Sequence, residues 1–268
     1  MKLILIPAYQ NPVISWGWVL HELLEDYRKT GALEGVEVDI DEGYFIESPS
    51  EKRDEEVLAL ISVGIIKKVK EYSEMGKYDA IVLTGALDPG FVPARLVSKI
   101  PVTGAVHSCL HIASLIGERV GEIHGVPSSS LIDRHLGGRY GLNHKLVAVR
   151  ASGHSSTEAF SILKKYKDNW EGRLKDPDLT KIMDDITTQA IAVIEENRAD
   201  SLIIACQHLQ PCADGVRQRL DEAGYDEIPI VRGIPAGIEM ARAMVDMKLI
   251  QCPRAYPSGA LKAKPEYW

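Results

Sequence analysis

Cys206 closes the apolar run Leu202-Ile203-Ile204-Ala205 and precedes Gln207 and His208. A thiol therefore stands at the end of a predicted strand, with an imidazole two residues on. A free cysteine ionises near pH ~8.5, so it acts as a base or nucleophile at neutrality only where its surroundings favour the thiolate. Backbone N–H groups at a helix start do this, and the sequence predicts a helix beginning near Pro211. The plain alternative is a small buried cysteine of a core strand. Cys109, Cys212 and Cys252 complete the set. None forms a C-x-x-C pair, so free thiols are expected rather than a disulfide framework.

Several other residues could serve such a thiol. His208 would position the thiolate or bind substrate, or else be a polar loop residue. His107 sits at a strand end, where an imidazole titrates near neutrality and can act as acid or base; a helix-start histidine bonded to backbone is the other reading. His107 and His111 share a helical face, but with no acidic or C-x-x-C partner this spacing does not make a metal site, and none is expected. Arg232 follows a buried strand, where a guanidinium could grip a carboxylate with two hydrogen bonds or form a structural ion pair. Val126-Pro127-Ser128 reads as a strand end and the cap of a helix near 131–136, with Ser128 a candidate for anion binding at its start. No P-loop and no G-x-G-x-x-G after a strand is present, so nucleotide binding has no support.

The elements that must position these groups alternate along the chain. Residues 3–6, 80–83, 146–149, 202–205 and 228–231 are short apolar runs. Helical spacing occupies 16–29, 52–75, 91–98, 107–118, 179–198, 212–223 and 235–247. Runs apolar throughout, rather than alternating, belong to strands covered on both faces. Strand followed by helix, repeated, predicts an α/β fold of parallel sheets flanked by helices. In such sheets ligands sit beyond the carboxyl ends of the strands. That rule singles out Tyr9, the run from Thr84 through Gly85 and Ala86, His107, Ser128, the turn Cys206-Gln207-His208, and Arg232.

A weak internal repeat supports two similar halves. Asp79-Ala-Ile-Val-Leu-Thr-Gly85 matches Asp200-Ser-Leu-Ile-Ile-Ala-Cys206, and Ile100-Pro-Val-Thr-Gly-Ala-Val matches Ile228-Pro-Ile-Val-Arg-Gly-Ile. In this register Gly85 and Cys206 hold equivalent places. The first lobe is expected over 1–100 and 216–248, the second over 101–215, with 249–268 a proline-rich arm on its own lobe or on a neighbouring subunit.

A net charge of -7 gives no general attraction to nucleic acid or anionic lipid, and neither partner is expected. The opening Met1–Ala8 is shorter than a signal peptide, and no stretch approaches a membrane span, so a cytoplasmic chain is expected. Helix charges such as Lys67-Lys68 and Glu195-Glu196 read as solvated faces.

From Met1 to about Val245 the chain resembles the aspartate/glutamate/hydantoin racemase superfamily. The resemblance is carried by Asp88-Pro89-Gly90, by Pro101-Val-Thr-Gly-Ala-Val-His-Ser-Cys-Leu-His-Ile-Ala113, and by Ala205-Cys206 after the late strand. It implies two pseudo-symmetric lobes with the active site in the cleft between them, no cofactor, and a small, anionic substrate. It also implies proton transfer beside a carboxyl or carbonyl group, with one cysteine in each lobe working on opposite faces of the carbon. Here the first of these positions is Gly85, so Cys206 stands alone, with Thr84, Gly85 and His107 as the expected opposing wall. Glycine in the first lobe and cysteine in the second resembles arylmalonate decarboxylases, in which one thiol protonates an enediolate. The loop Ile6-Pro7-Ala8-Tyr9-Gln10 lacks the asparagines that flank proline in the amino-acid racemases. The expected activity is thus a modified isomerase or a one-thiol decarboxylase of a malonate-type acid, the contrasting class being a non-catalytic binding protein. A homo-oligomer is expected from the proline-rich arm.

Overall fold

The computed structural model describes residues 1–47 and 55–257; the predicted helix positions 52–54 and the arm positions 258–268 lie outside the described residues. Chain contacts divide the molecule into two compact units, with the chain passing to the second after Ala105 and returning to the first at Gly237.

In the first unit, β1 (Lys2–Ile6), β2 (Glu37–Ile40), β3 (Ala80–Leu83) and β4 (Val102–Gly104) form a parallel sheet in the order β2-β1-β3-β4. Its helices are α1 (Gly17–Lys29), α2 (Glu55–Glu74) and α3 (Phe91–Val97). All four residues of β3 are buried, as an apolar run covered on both faces requires.

In the second unit, β5 (Val120–His124), β6 (Leu146–Ala151), β7 (Ser201–Ile204) and β8 (Ile230–Arg232) repeat that order as β6-β5-β7-β8, again all parallel. The helices α5 (Pro127–Arg139), α6 (Ser156–Leu163), α7 (Pro177–Asn197) and α8 (Ala213–Glu222) belong to it, while α4 (Ala105–Ile116) and α9 (Gly233–Asp246) run through the two crossing points. α7 shows why such helices form. Asp176 caps it by accepting the N–H groups of Asp178 and Leu179, and Pro177 occupies the first turn. Leu179, Ile182, Met183, Ile186, Ala190 and Val193 then supply a buried stripe at helical spacing.

The same staple begins both sheets. Asp79, just before β3, accepts the N–H of Lys2 at the start of β1 (2.6 Å). Asp200, just before β7, accepts the N–H groups of Glu118 and Arg119 leading into β5 (2.8 and 3.0 Å). These are the two aspartates that the internal repeat aligns.

Several expectations need revision. Residues 216–236 join the second unit, not the first, because β8 pairs with β7. The strands β2, β4 and β5 carry no uniform apolar run: β2 is largely half-buried, β4 has three residues, and β5 contains Gly121 and Glu122. The helix expected near 131–136 begins at Pro127, with Val126 as its extended cap, so Ser128 lies inside the first turn. Lys68 ion-pairs with the buried Asp41 (2.8 Å), and Glu195 and Glu196 bond Tyr225 and Arg150, so these charges do more than face solvent. The described part of the terminal arm rests on its own unit: Gln251 donates to the carbonyls of Ser98 and Ile100, and Tyr256 lies against Arg95. Among the described residues no helix is long and apolar enough to cross a membrane.

Candidate active site

Cys206 lies two residues beyond β7 and is 2% exposed. The turn that holds it is closely bonded. Its carbonyl accepts the N–H groups of Leu209 (2.9 Å) and Gln210 (3.2 Å). The Gln210 amide donates to the Ala205 carbonyl (3.1 Å) and accepts the N–H of Ile234 (3.0 Å), tying the turn to the start of α9. A short 3₁₀ turn, Gln210–Cys212, follows, so α8 begins only at Ala213.

Two imidazoles meet the sulfur. His208 Nδ1 lies 3.4 Å and His124 Nε2 3.5 Å from Sγ. These two rings are placed against the thiol, while the helix expected near Pro211 begins only at Ala213. His208 Nε2 lies 3.2 Å from the main-chain carbonyl of His154. A carbonyl only accepts, so Nε2 carries the hydrogen and Nδ1 of the neutral ring presents its lone pair. Nδ1 can therefore receive the thiol proton, and the imidazolium so formed would face the thiolate. Ser156 Oγ, 3.2 Å from Nδ1, suits both states, since a hydroxyl donates to the lone pair or accepts from the protonated nitrogen.

The segment behind His208 is anchored in turn. His154 Nδ1 and Nε2 each lie 2.9 Å from a carboxylate oxygen, of Glu158 and Asp185 respectively. Glu158 also forms the reciprocal capping box with Ser155 that starts α6. The Lys181 hydrogen bond, then that of His154, holds the Asp185 carboxyl below the usual carboxylate range. Gly125 completes the arrangement: a Cβ there would lie 2.5 Å from His208 Nε2 and 2.7 Å from the His154 carbonyl oxygen. Only glycine leaves room for that hydrogen bond at this closeness.

The other cysteines have different surroundings. Cys109 belongs to the apolar core of the second unit with Leu110, Ala113 and Ile203. Burial pushes the Cys212 thiol up to about 12, against the opposing influence of Arg173 and Arg219. Cys252 is exposed.

A model of the family described as Asp/Glu/Hydantoin racemase matches residues 22–241. The chain belongs to that family. The hydantoin racemase of Pseudomonas sp. (strain NS671) is 24% identical over 184 residues, 69% of this chain and 65% of that protein's length. The chain thus spans under two thirds of that relative. Among solved structures, the allantoin racemase of Pseudomonas fluorescens superposes with a TM-score of 0.76 at 18% identity, covering 98% of this chain and 99% of that one. The allantoin racemase of Klebsiella pneumoniae gives 0.73 at 17% identity, covering 98% and 94%. These likenesses establish the same fold.

The remaining residues singled out in this racemase-family sequence fall into both units. In the second, Gln207 is buried beside Cys206. The His107 ring packs edge-on against His111 (4.4 Å) and Tyr140 (5.0 Å). Ser128 is exposed on α5. Arg232 ends β8 in an ion pair with Asp214 (3.3 Å). In the first unit, Tyr9 and Thr84 are buried, and the Thr84 N–H bonds the Ile6 carbonyl (3.1 Å). Ala86 is half-buried. Gly85 is crowded: a Cβ there would lie 2.9 Å from the Ala8 Cβ and 3.0 Å from Pro89 Cδ.

Sequence reading missed His124, Ser156 and His154. Each left a signal. His124 lies two residues before the strand end read at Val126 and alternates with Glu122 on one face of β5. Ser155-Ser-Thr-Glu158 before Ala159-Phe160 is a capping-box pattern that places Ser156 and His154 on either side of a helix start.

Proposed function

We propose that the chain transfers a proton at a carbon next to a carboxylate or carbonyl of a small molecule, without a cofactor, using Cys206 as acid and base. The observation that carries this reading is the 3.4 Å approach of Cys206 Sγ to a His208 Nδ1 whose ring partner already donates to a carbonyl. The thiol proton passes to Nδ1, leaving thiolate beside imidazolium. The thiolate then takes the substrate's α-proton and becomes a thiol again. The electron pair of the broken C–H bond moves into the adjacent carbonyl or carboxyl group as an enolate. A proton returned from the same face regenerates substrate with its hydrogen exchanged; one returned from the opposite face gives the mirror image. Family membership and the hydantoin racemase relative favour a hydantoin or a similar ureide or amino acid as substrate. A positioned acid–base group of this kind contributes about 10²–10⁴-fold to rate.

The test is incubation of single enantiomers of 5-substituted hydantoins, allantoin and small amino acids in D₂O. NMR follows deuterium uptake at the α-carbon and polarimetry follows inversion. Uptake that falls about 100-fold or more in Cys206→Ala supports the reading. Full uptake in that variant ends it.

One observation favours a second outcome for the same thiol. The space at Gly85 leaves no room for the side chain of a second cysteine without movement of Ala8 or Pro89. A single thiol suffices to protonate an enediolate formed by loss of carbon dioxide from a malonate-type acid. Release of carbon dioxide from a disubstituted malonate, with optically active product, would select decarboxylation over racemisation.

A further inference from the structure

The hydrogen bond that fixes His208 is donated to a main-chain carbonyl, yet the side chain of the residue that supplies this carbonyl is itself firmly held. His154 supplies the carbonyl, and its ring is gripped on both sides by Glu158 and Asp185 at 2.9 Å each. The His154 side chain is 8% exposed, whereas Asp185 and Glu158 reach the surface. Gly125 is bare where the ring–carbonyl bond passes.

We propose that His154 is a positioning residue whose clamp by Glu158 and Asp185 aims its carbonyl at His208 Nε2 and so fixes the tautomer that leaves Nδ1 open to the Cys206 proton. This deepens the function proposed above and rests on it. Without the clamp, the peptide carrying the His154 carbonyl keeps the Ser155 N–H bond to Glu158 Oε2 (3.4 Å) but loses the hold of the ring, so the carbonyl is aimed less firmly and Nε2–H is favoured less over Nδ1–H. In the Nδ1–H tautomer the lone pair moves to Nε2, which lies 3.9 Å from Sγ against 3.4 Å for Nδ1, so the ring accepts the thiol proton less well. Ser156 Oγ, 3.2 Å from His208 Nδ1, donates to or accepts from that nitrogen and so suits either tautomer, while the contact of His124 is with the Cys206 sulfur. A partner that orients a reacting histidine from behind typically changes activity by about 10–100-fold when removed.

The experiment compares native protein with His154→Ala, Asp185→Asn and Gly125→Ala, each shown to be folded by circular dichroism. Nitrogen-15 spectra of histidine-labelled protein report the His208 tautomer, with His208→Gln supplying the assignment. Absorbance at 240 nm reports the thiolate, with Cys206→Ser as its baseline. Native protein should show one tautomer, protonated at Nε2. His154→Ala and Gly125→Ala should show a mixture, a thiolate that forms at higher pH, and deuterium exchange about tenfold slower in kcat with KM unchanged. Asp185→Asn should shift in the same direction less far, and Asp185→Glu should restore the native spectrum. An unchanged His208 spectrum and thiolate titration in folded His154→Ala overturns the role given to His154. Exchange that survives Cys206→Ala instead overturns the acid–base reading, whatever the nitrogen spectra show, so the two failures are distinct.

Discussion

At the scale of single residues, what separates Cys206 from Cys212 is the neighbour each thiol meets. The two lie six positions apart and both are buried. Desolvation disfavours the charged form of any thiol, and at Cys212 it dominates, raising the ionisation to about 12. At Cys206, two imidazoles can take up or offset the charge. The consequence is measurable as thiolate absorbance. The thiolate absorbance carried by Cys206 should be lost in Cys206→Ser and persist in Cys212→Ser, while Cys212, its ionisation raised to about 12, should contribute none near neutrality. His208→Gln, which removes the acceptor but keeps polarity, should move the Cys206 step to higher pH and slow exchange by about 100-fold. The opposite result, a step carried by Cys212, would exclude the His208 pairing as its cause.

Secondary-structure elements here are begun by aspartates. Asp176 starts α7, and replacement by alanine removes two cap hydrogen bonds at a cost of about 1 kcal/mol. Asp200 starts the second sheet. Burial pushes its carboxyl up, but the N–H groups of Glu118 and Arg119 and the Ser201 hydroxyl together hold it below the usual range. A carboxyl lowered by folding contributes stability above its unfolded ionisation near pH ~3.9, and that contribution fades as pH falls through and below this value. Asp200→Asn should therefore be less stable than native protein at pH 7 and converge on it at low pH, as urea unfolding at several pH values will show. A constant difference across pH would assign the effect to lost geometry alone. These elements also show what sequence could disclose. The strands β1, β3 and β7, apolar throughout after Lys2 and Ser201 at the starts of the first and last, and the long striped helix α7 announce themselves, because burial on both faces or one stripe dictates residue type. β5 does not: its five residues are all buried, yet two of them are Glu122 and His124. A buried strand that carries polar side chains toward a site loses the apolar signature used to find strands. Cys206 and His208 were legible as neighbours in sequence. His124 and Ser156 come from elements 82 and 50 or more residues away in the chain, a pairing that only the sheet order reveals.

For the molecule as a whole, two units built in the same strand order, each with an aspartate staple before its third strand, account for the internal repeat read from the sequence. Thr84-Gly85 and Ala205-Cys206 directly follow the equivalent strands β3 and β7. The two positions nevertheless have unlike surroundings, imidazoles around one and Ala8 with Pro89 against the other. Gly85→Cys should lower stability by about 1–3 kcal/mol through overpacking, measured by denaturant titration. It should not by itself raise inversion rates; a stable and faster-inverting Gly85→Cys would refute the crowding argument. Seen as a path through sequence space, the narrow place at Gly85 works as a ratchet. With Ala8 and Pro89 set against a bare α-carbon, a side chain gained there demands that its neighbours change first. Substitution at Gly85 is thereby coupled to substitution at Ala8 or Pro89.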